Sequence, residues 1–282
     1  MSSGQPHDHF ISRAHIRQWA TDNRVTVLRR GQREPKLLDV GKAVAAEQGL
    51  NDPVIEAAYG RVESAFSRAL SRSIRSPGQL TGHDRKAFRE YCVLMHDRYP
   101  ALRGSSIDHR ALPGGGTMMV PDPANWGVGG DLAHSLAQLA PAMPREEPKL
   151  ARLQLLPTFA HFLPDGMWIF RGGPMLLGDA GLHSMTLHPQ TRGGQTYVAM
   201  PLAPDAMLVL GKRLPPVEDV ETIGRTLTMR VAMSSTVVVD TPAAPVITAF
   251  VQEMWGAQLG PAGTGTPAAM RIWDQPEDIP NV

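Results

Sequence analysis

The stretch that decides the fold runs from Trp168 to Lys212 and reads WIFRGGPMLLGDAGLHSMTLHPQTRGGQTYVAMPLAPDAMLVLGK. Short apolar runs alternate in it with turns rich in glycine and proline, which is typical of strands in a buried sheet. Pro201 and Pro204 cannot donate hydrogen bonds to a neighbouring strand, so we expect the corner that they form at an edge or end of the sheet. The stretch therefore predicts a sheet in the C-terminal half of the chain.

Asp179 stands in this stretch at a Gly-Asp-Ala-Gly turn, between Gly178 and Gly181. Glycines on both sides of an acid indicate an unusual backbone angle or the close approach of another group. In one interpretation the carboxylate forms a turn by binding nearby backbone. In the other it is an acid displayed at the end of a strand, where functional sites are often built.

Two amphipathic helices are predicted before the sheet, within residues 53–100. The first begins at Pro53, after which apolar residues recur at a spacing of three to four. The second begins at Thr81, because Thr81-Gly-His-Asp84 has the spacing of a capping box. The short linker between them favours an antiparallel pair. A further helical region is expected over 130–157.

The fold class that these patterns predict is α+β. A mixed or antiparallel sheet from residues 168–240 is covered by the helical N-terminal and middle region, and the last strand is expected over Val231–Val239. We expect one domain over residues 7–258, with tails at 1–6 and 260–282.

Composition gives few indications of function. Lys and Arg number 28 against 27 Asp and Glu, so the net charge of +1 provides no global attraction to nucleic acid or an anionic membrane. Six arginines between residues 13 and 33 are dense enough to contact phosphates, although a solvated face is the other interpretation. Cys92 is the single cysteine, which excludes an internal disulfide. No signal-peptide pattern or membrane span is recognisable, so we expect a soluble, cytoplasmic protein without a membrane partner.

Five short segments follow one another along the chain. They are HFISRAHIRQW at 9–19, Val62-Glu63, LTGHDR at 80–85, RYP at 98–100 and Pro201-Leu-Ala-Pro204. Together they resemble a bacterial family of unknown function, family 4238 of the domains of unknown function, which is recognised by an N-terminal His-x-x-Pro element.

The chain resembles a divergent member of that family, because Ser12 replaces the proline of the first element. Asp179 stands where the family has the acid of a Ser-Asp-Asn-Pro turn. The resemblance covers about residues 7–250 and implies a shared fold, but it implies no activity.

The polar residues at matching positions are His9, Arg13, Glu63, Arg98 and Asp179. If they converge, we expect His9, Glu63 and Asp179 to act as catalytic acid–base groups. Arg13 and Arg98 would then bind an anionic oxygen of the substrate. The alternative is a buried salt-bridge network that fixes the helix pair on the sheet.

A divalent metal ion is the cofactor that the histidines suggest. His7, His9 and His15 are close in sequence, and His7 and His9 could ligate a metal together with Asp179. The other interpretation is a solvated tail with one hydrogen-bonded histidine.

The leading hypothesis for function is a hydrolase, with metal-assisted hydrolysis of a phosphodiester in a small molecule or a nucleic acid. The alternative is a non-catalytic ligand- or protein-binding module whose charged cluster is structural.

Overall fold

The computed structural model describes residues 11–43, 53–76, 80–98, 107–112, 116–121, 157, 160–161, 163–187 and 195–251. Its helices are α1 (Arg13–Ile16), α2 (Val40–Ala43), α3 (Pro53–Arg75), α4 (Gly82–Arg98) and α5 (Val217–Ser234). A 3-10 turn covers Arg17–Trp19, and a π-helical turn covers Ile247–Val251.

The strands form two four-stranded sheets and one hairpin. They are β1 (Arg24–Arg29), β2 (Lys36–Asp39), β3 (Ile107–Leu112), β4 (Gly116–Pro121), β5 (Gly166–Arg171), β6 (Leu177–Gly178), β7 (His183–Leu187), β8 (Gln195–Ala203), β9 (Ala206–Gly211) and β10 (Val237–Asp240). The first sheet has the order β5-β9-β8-β7, the second β2-β1-β10-β6, and β3 pairs with β4.

All strand pairs among the described residues are antiparallel, and the helices and sheets together confirm the α+β prediction. The second sheet differs from the expectation, since β1 near the N-terminus pairs with β2 on one side and with β10, from the C-terminal half, on the other. The proline corner begins at the end of β8, where the register against β9 shifts between Pro201 and Ala203. The expected helical region 130–157 lies outside the described residues apart from Pro157, and so do both expected tails. Within the described part, no helix is both long and apolar enough to cross a membrane.

α5 occupies the first residues of the last expected strand. The strand expected from Val231 starts only at Val237, because the helix continues to Ser234. Ile223, Leu227 and Val231 are all fully buried and follow one another at intervals of four, so they extend the apolar stripe of the helix by one more turn.

α3 and α4 form the predicted antiparallel pair. The ring of Phe66 stacks on that of Tyr91 with centroids 3.6 Å apart, and Arg72 forms an ion pair with Asp84. The capping box is also confirmed: the Thr81 N–H donates to Asp84 Oδ2 at 3.0 Å, and the Asp84 N–H donates to Thr81 Oγ1 at 3.2 Å.

His15 joins the helix pair to the first sheet. Its Nε2 lies 2.8 Å from the carbonyl oxygen of Pro201, and its Nδ1 lies 3.1 Å from the Tyr91 hydroxyl. A carbonyl only accepts, so Nε2 carries the proton and Nδ1 accepts from Tyr91. The ring also contacts Trp19 and Phe66 edge-on. Burial lowers the pKa of His15 from 6.5 to about 4, although the hydrogen bond to Pro201 opposes the shift.

Stability should therefore depend on pH through His15. Below pH 6.5 the unfolded chain binds a proton on this side chain, whereas the folded chain does not bind it until about pH 4. The free energy of unfolding is expected to fall by about 1 kcal/mol between pH 7.5 and pH 5.5, and by about 3 kcal/mol once the pH is below 4. Urea unfolding at a series of pH values measures this loss.

The matched comparison is His15→Gln, whose amide can still donate to Pro201 but does not titrate. Because the other histidines are common to both proteins, the difference between the two pH profiles isolates His15. Parallel profiles between pH 7.5 and pH 5.5 would contradict the prediction.

Candidate functional site

Asp179 directly follows β6, and its carboxylate holds the turn between α5 and β10. Oδ1 accepts the backbone N–H groups of Thr236 at 2.9 Å and Val237 at 3.3 Å, and Oδ2 accepts the Thr236 hydroxyl. Ser235 contributes a further side-chain hydrogen bond. The backbone adds another link, since the Asp179 N–H donates to the Val237 carbonyl at 3.2 Å. Asp179 thus acts as a clasp on the turn from residue 235 to 237.

The glycine before Asp179 is required by the close approach that the sequence predicts. A Cβ on Gly178 would lie 2.1 Å from Ser235 Oγ and 2.8 Å from Val231 Cγ1. Gly181 is less crowded, since its Cβ would meet Met95 Cε at 3.2 Å. Glycine at 178 therefore lets the end of α5 contact β6 directly.

The environment of Asp179 opposes a role in contact with solvent. The residue is only 1% exposed. Burial raises the pKa of its carboxyl group, and the hydrogen bonds from Thr236, Val237 and Ser235 oppose that shift. Ionised carboxylates have about four acceptor positions, and these donors occupy the same number. A substrate or metal ion would have to displace a backbone donor to reach this group.

The other predicted site residues differ in exposure, and not all of them are among the described residues. Glu63 is half-buried in α3, and Arg13 is exposed at the first position of α1. Arg98 ends α4, but its side chain lies outside the described residues, as His7 and His9 do entirely.

The register of the helix pair brings Glu63, in the middle of α3, level with the C-terminal half of α4. Phe66 stacks on Tyr91, so Glu63, three residues earlier in α3, is level with residues 94–95 of the antiparallel α4. Met95 contacts the glycine turn that follows Asp179. Glu63 and this turn therefore both lie near the C-terminal half of α4, which ends at Arg98.

His15 is not available as a metal ligand, because both of its ring nitrogens have hydrogen-bond partners. Among the described residues, no three His, Cys, Asp or Glu side chains are grouped so that they could hold a metal ion.

Two buried polar residues were missed by the sequence reasoning. Asp240 accepts the N–H groups of Thr241, Val246 and Ile247 at 2.7, 3.0 and 3.2 Å, so it caps the helical turn after β10. Its position before Thr-Pro is a turn signal that could have identified it. His183 places Nε2 2.5 Å from the Ala180 carbonyl. No sequence signal distinguishes it from an ordinary strand residue.

Residues 7–115 match the model of a family described as a protein of unknown function (DUF4238). None of the curated proteins and none of the solved structures matches the chain.

The clasp predicts different outcomes for two substitutions of Asp179. Asp179→Ala leaves the N–H groups of Thr236 and Val237 buried without acceptors, and we expect a loss of about 2–4 kcal/mol of stability. Asp179→Asn should lose less than half as much, because its amide oxygen can accept both N–H groups and its amide nitrogen can donate to the Thr236 hydroxyl. Urea unfolding of both variants beside the unaltered protein measures the difference. Equal losses in both variants, or no loss in either, would contradict this account.

Proposed function

We propose that this chain, which belongs to the DUF4238 family of proteins of unknown function, is a non-catalytic binding protein. In this proposal its buried charged groups are structural. One observation carries the proposal: the carboxylate of Asp179, the acid that the sequence puts forward as catalytic, is bound by the 235–237 turn. A general acid or base must come within hydrogen-bond distance of the substrate. In this fold the Asp179 carboxylate instead accepts hydrogen bonds from the backbone of Thr236 and Val237.

The other buried charged groups support the same role. The buried Asp240 binds three backbone N–H groups, and the partly buried Arg89 donates to the carbonyl oxygens of Ala160, Leu163 and Pro164. Each group satisfies main-chain polar atoms that would otherwise be buried unpaired, which is costly. These hydrogen bonds account for charged side chains inside the protein without assigning them a catalytic role.

Metal-assisted phosphodiester hydrolysis, as in a nuclease, is the second candidate. The register that brings Glu63 and the turn after Asp179 near the C-terminal half of α4 favours it. In that function His9 and Glu63 would serve as acid and base, with Arg13 and Arg98 binding the phosphate. A metal held by His7, His9 and Asp179 would require Asp179 to release part of the 235–237 turn.

We further propose a cytoplasmic location and a small molecule or nucleic acid as ligand. Cys92, a free and fully buried thiol, fits a reducing compartment.

A hydrolysis assay separates the two candidates. The purified protein and its Glu63→Gln variant are incubated with bis(p-nitrophenyl) phosphate and Mg²⁺, Mn²⁺ or Zn²⁺ in turn, while metal content is measured by mass spectrometry. If the protein only binds, both samples should release nitrophenol at the same background rate.

A catalytic base contributes roughly 10²–10⁴-fold to a rate, so the hydrolase has a clear signature. Metal-dependent turnover that falls about 100-fold or more in Glu63→Gln, at an unchanged melting temperature, would overturn the non-catalytic proposal.

A further inference from the structure

α3 carries four arginines along one exposed side. Arg61, Arg68, Arg72 and Arg75 are separated by seven, four and three residues, and all four are exposed. At about 100° per residue they occupy a sector about 60° wide, and at about 1.5 Å per residue they extend over about 21 Å. We call this set the arginine stripe. Regular spacing on a single helix gives it a fixed geometry.

The stripe has little structural use. No hydrogen bond or ion pair joins Arg61 or Arg68 to another group in the part of the chain that the structure describes. Among the described residues, Arg75 donates only to the Ser71 carbonyl of its own helix, and Arg72 is the one member of the stripe paired with a carboxylate, that of Asp84. Three of the four exposed positive charges therefore have no carboxylate partner in the described part of the chain.

The acids of α3 are turned away from the stripe. Glu56 and Glu63 lie at about 130–150° around the helix from the centre of the arginine sector, beside the face that packs on α4. The residues between the arginines on the exposed side are small, namely Ser64 and Ser71. Within α3, a linear polyanion lying along this side would meet no bulky or negatively charged residue between the arginines; the nearby carboxylate of Asp84 is buried and already paired with Arg72.

We propose that the arginine stripe binds the phosphate backbone of nucleic acid, an assignment that rests on the proposed binding role and gives it a ligand. Guanidinium groups bind phosphate oxygens with two parallel hydrogen bonds. Over about 21 Å of duplex axis, one strand presents about six phosphates, which is enough to engage all four arginines. The binding is independent of sequence, because contacts with phosphate oxygens carry no information about the bases.

The composition of the stripe favours nucleic acid over an anionic membrane. Interfacial helices insert an apolar face between lipids. The apolar face of α3 is instead committed to the core, where Tyr59, Phe66 and Leu70 are fully buried. The large exposed apolar side chains in the described part are elsewhere in the chain, at Leu37, Leu214 and Val217.

The test compares two variants with equal changes in net charge. Arg61→Gln/Arg68→Gln removes half of the stripe without breaking a contact. The control, Lys212→Gln/Arg213→Gln, removes two exposed charges that follow β9. These two charges lie outside α3, so the control leaves all four arginines of the stripe in place.

Fluorescence anisotropy is measured with fluorescein-labelled 20-base-pair duplex DNA and 20-nucleotide single-stranded DNA, at salt concentrations from 25 to 300 mM. The unaltered protein should bind at least one probe with a slope of log K against log salt of about −3 to −4. The stripe variant should bind at least about tenfold more weakly at 25 mM salt, with a slope flatter by about 2. The control variant should keep the original slope.

Three results would contradict the proposal that the arginine stripe binds nucleic acid. They are no binding of either DNA probe at 25 mM salt, equal weakening of binding in both variants, or binding only to phosphatidylcholine vesicles that contain 30% phosphatidylserine. The failure of the non-catalytic proposal is read separately, from the same probes on a denaturing gel after incubation with Mg²⁺ or Mn²⁺. Strand cleavage would refute that proposal while leaving the salt-dependent binding in place.

Discussion

The hydrogen bonds of the buried His15 ring hold the two main layers of this fold in position. The ring donates to Pro201 at the corner of the first sheet and accepts from Tyr91 of the helix pair. Both bonds are made inside a core from which water is excluded, so neither partner has a substitute. A neutral imidazole donates on one edge and accepts on the other, and the depressed pKa of His15 keeps the ring in that state at neutral pH. The position of the helices over the sheet depends on this geometry.

A second set of bonds extends the constraint to the irregular segment before β6. The indole of Trp19 donates to the Met175 carbonyl at 3.0 Å, and the Thr228 hydroxyl of α5 donates to the Pro174 carbonyl at 3.1 Å. This segment is thus held from the N-terminal region and from α5 at once. It leads directly into Gly178 and Asp179, so the clasp on the 235–237 turn begins from a fixed backbone. Side chains supply here the hydrogen bonds that a regular strand would obtain from its neighbours.

The sequence predicts this fold well where the deciding forces are local. Turn residues and apolar runs identify most strands, and the capping box at Thr81 is visible because its partners are three residues apart. The candidate site is less predictable, because the function of a polar residue depends on distant partners. The glycine flank indicates close approach at Asp179, but the approaching group is 57 residues away. His15 appears beside His7 and His9 in the sequence, although the structure uses it in the core.

The role of an arginine is equally hard to predict from its sequence neighbours. In sequence they are densest between residues 13 and 33, which suggests a phosphate-binding segment. In the fold, Arg24, Arg29 and Arg30 donate to the carbonyl oxygens of Leu37, Ala43 and Met233, so part of that density serves the chain itself. The α3 arginines are more widely spaced, and helical periodicity is needed to recognise that they share a side.

The energetics of α3 distinguish these two groups of arginines. An arginine that binds a carbonyl oxygen contributes to folding, whereas like charges three or four residues apart in a helix destabilise it by a few tenths of a kcal/mol per pair. Arg68, Arg72 and Arg75 form two such pairs, and Asp84 compensates only Arg72. The helix tolerates this repulsion because burial of Phe66 and Leu70 contributes several times more. Repulsion that no contact within the protein offsets is expected at a surface whose counter-charges come from a ligand, and the phosphates of a nucleic acid backbone supply such charges.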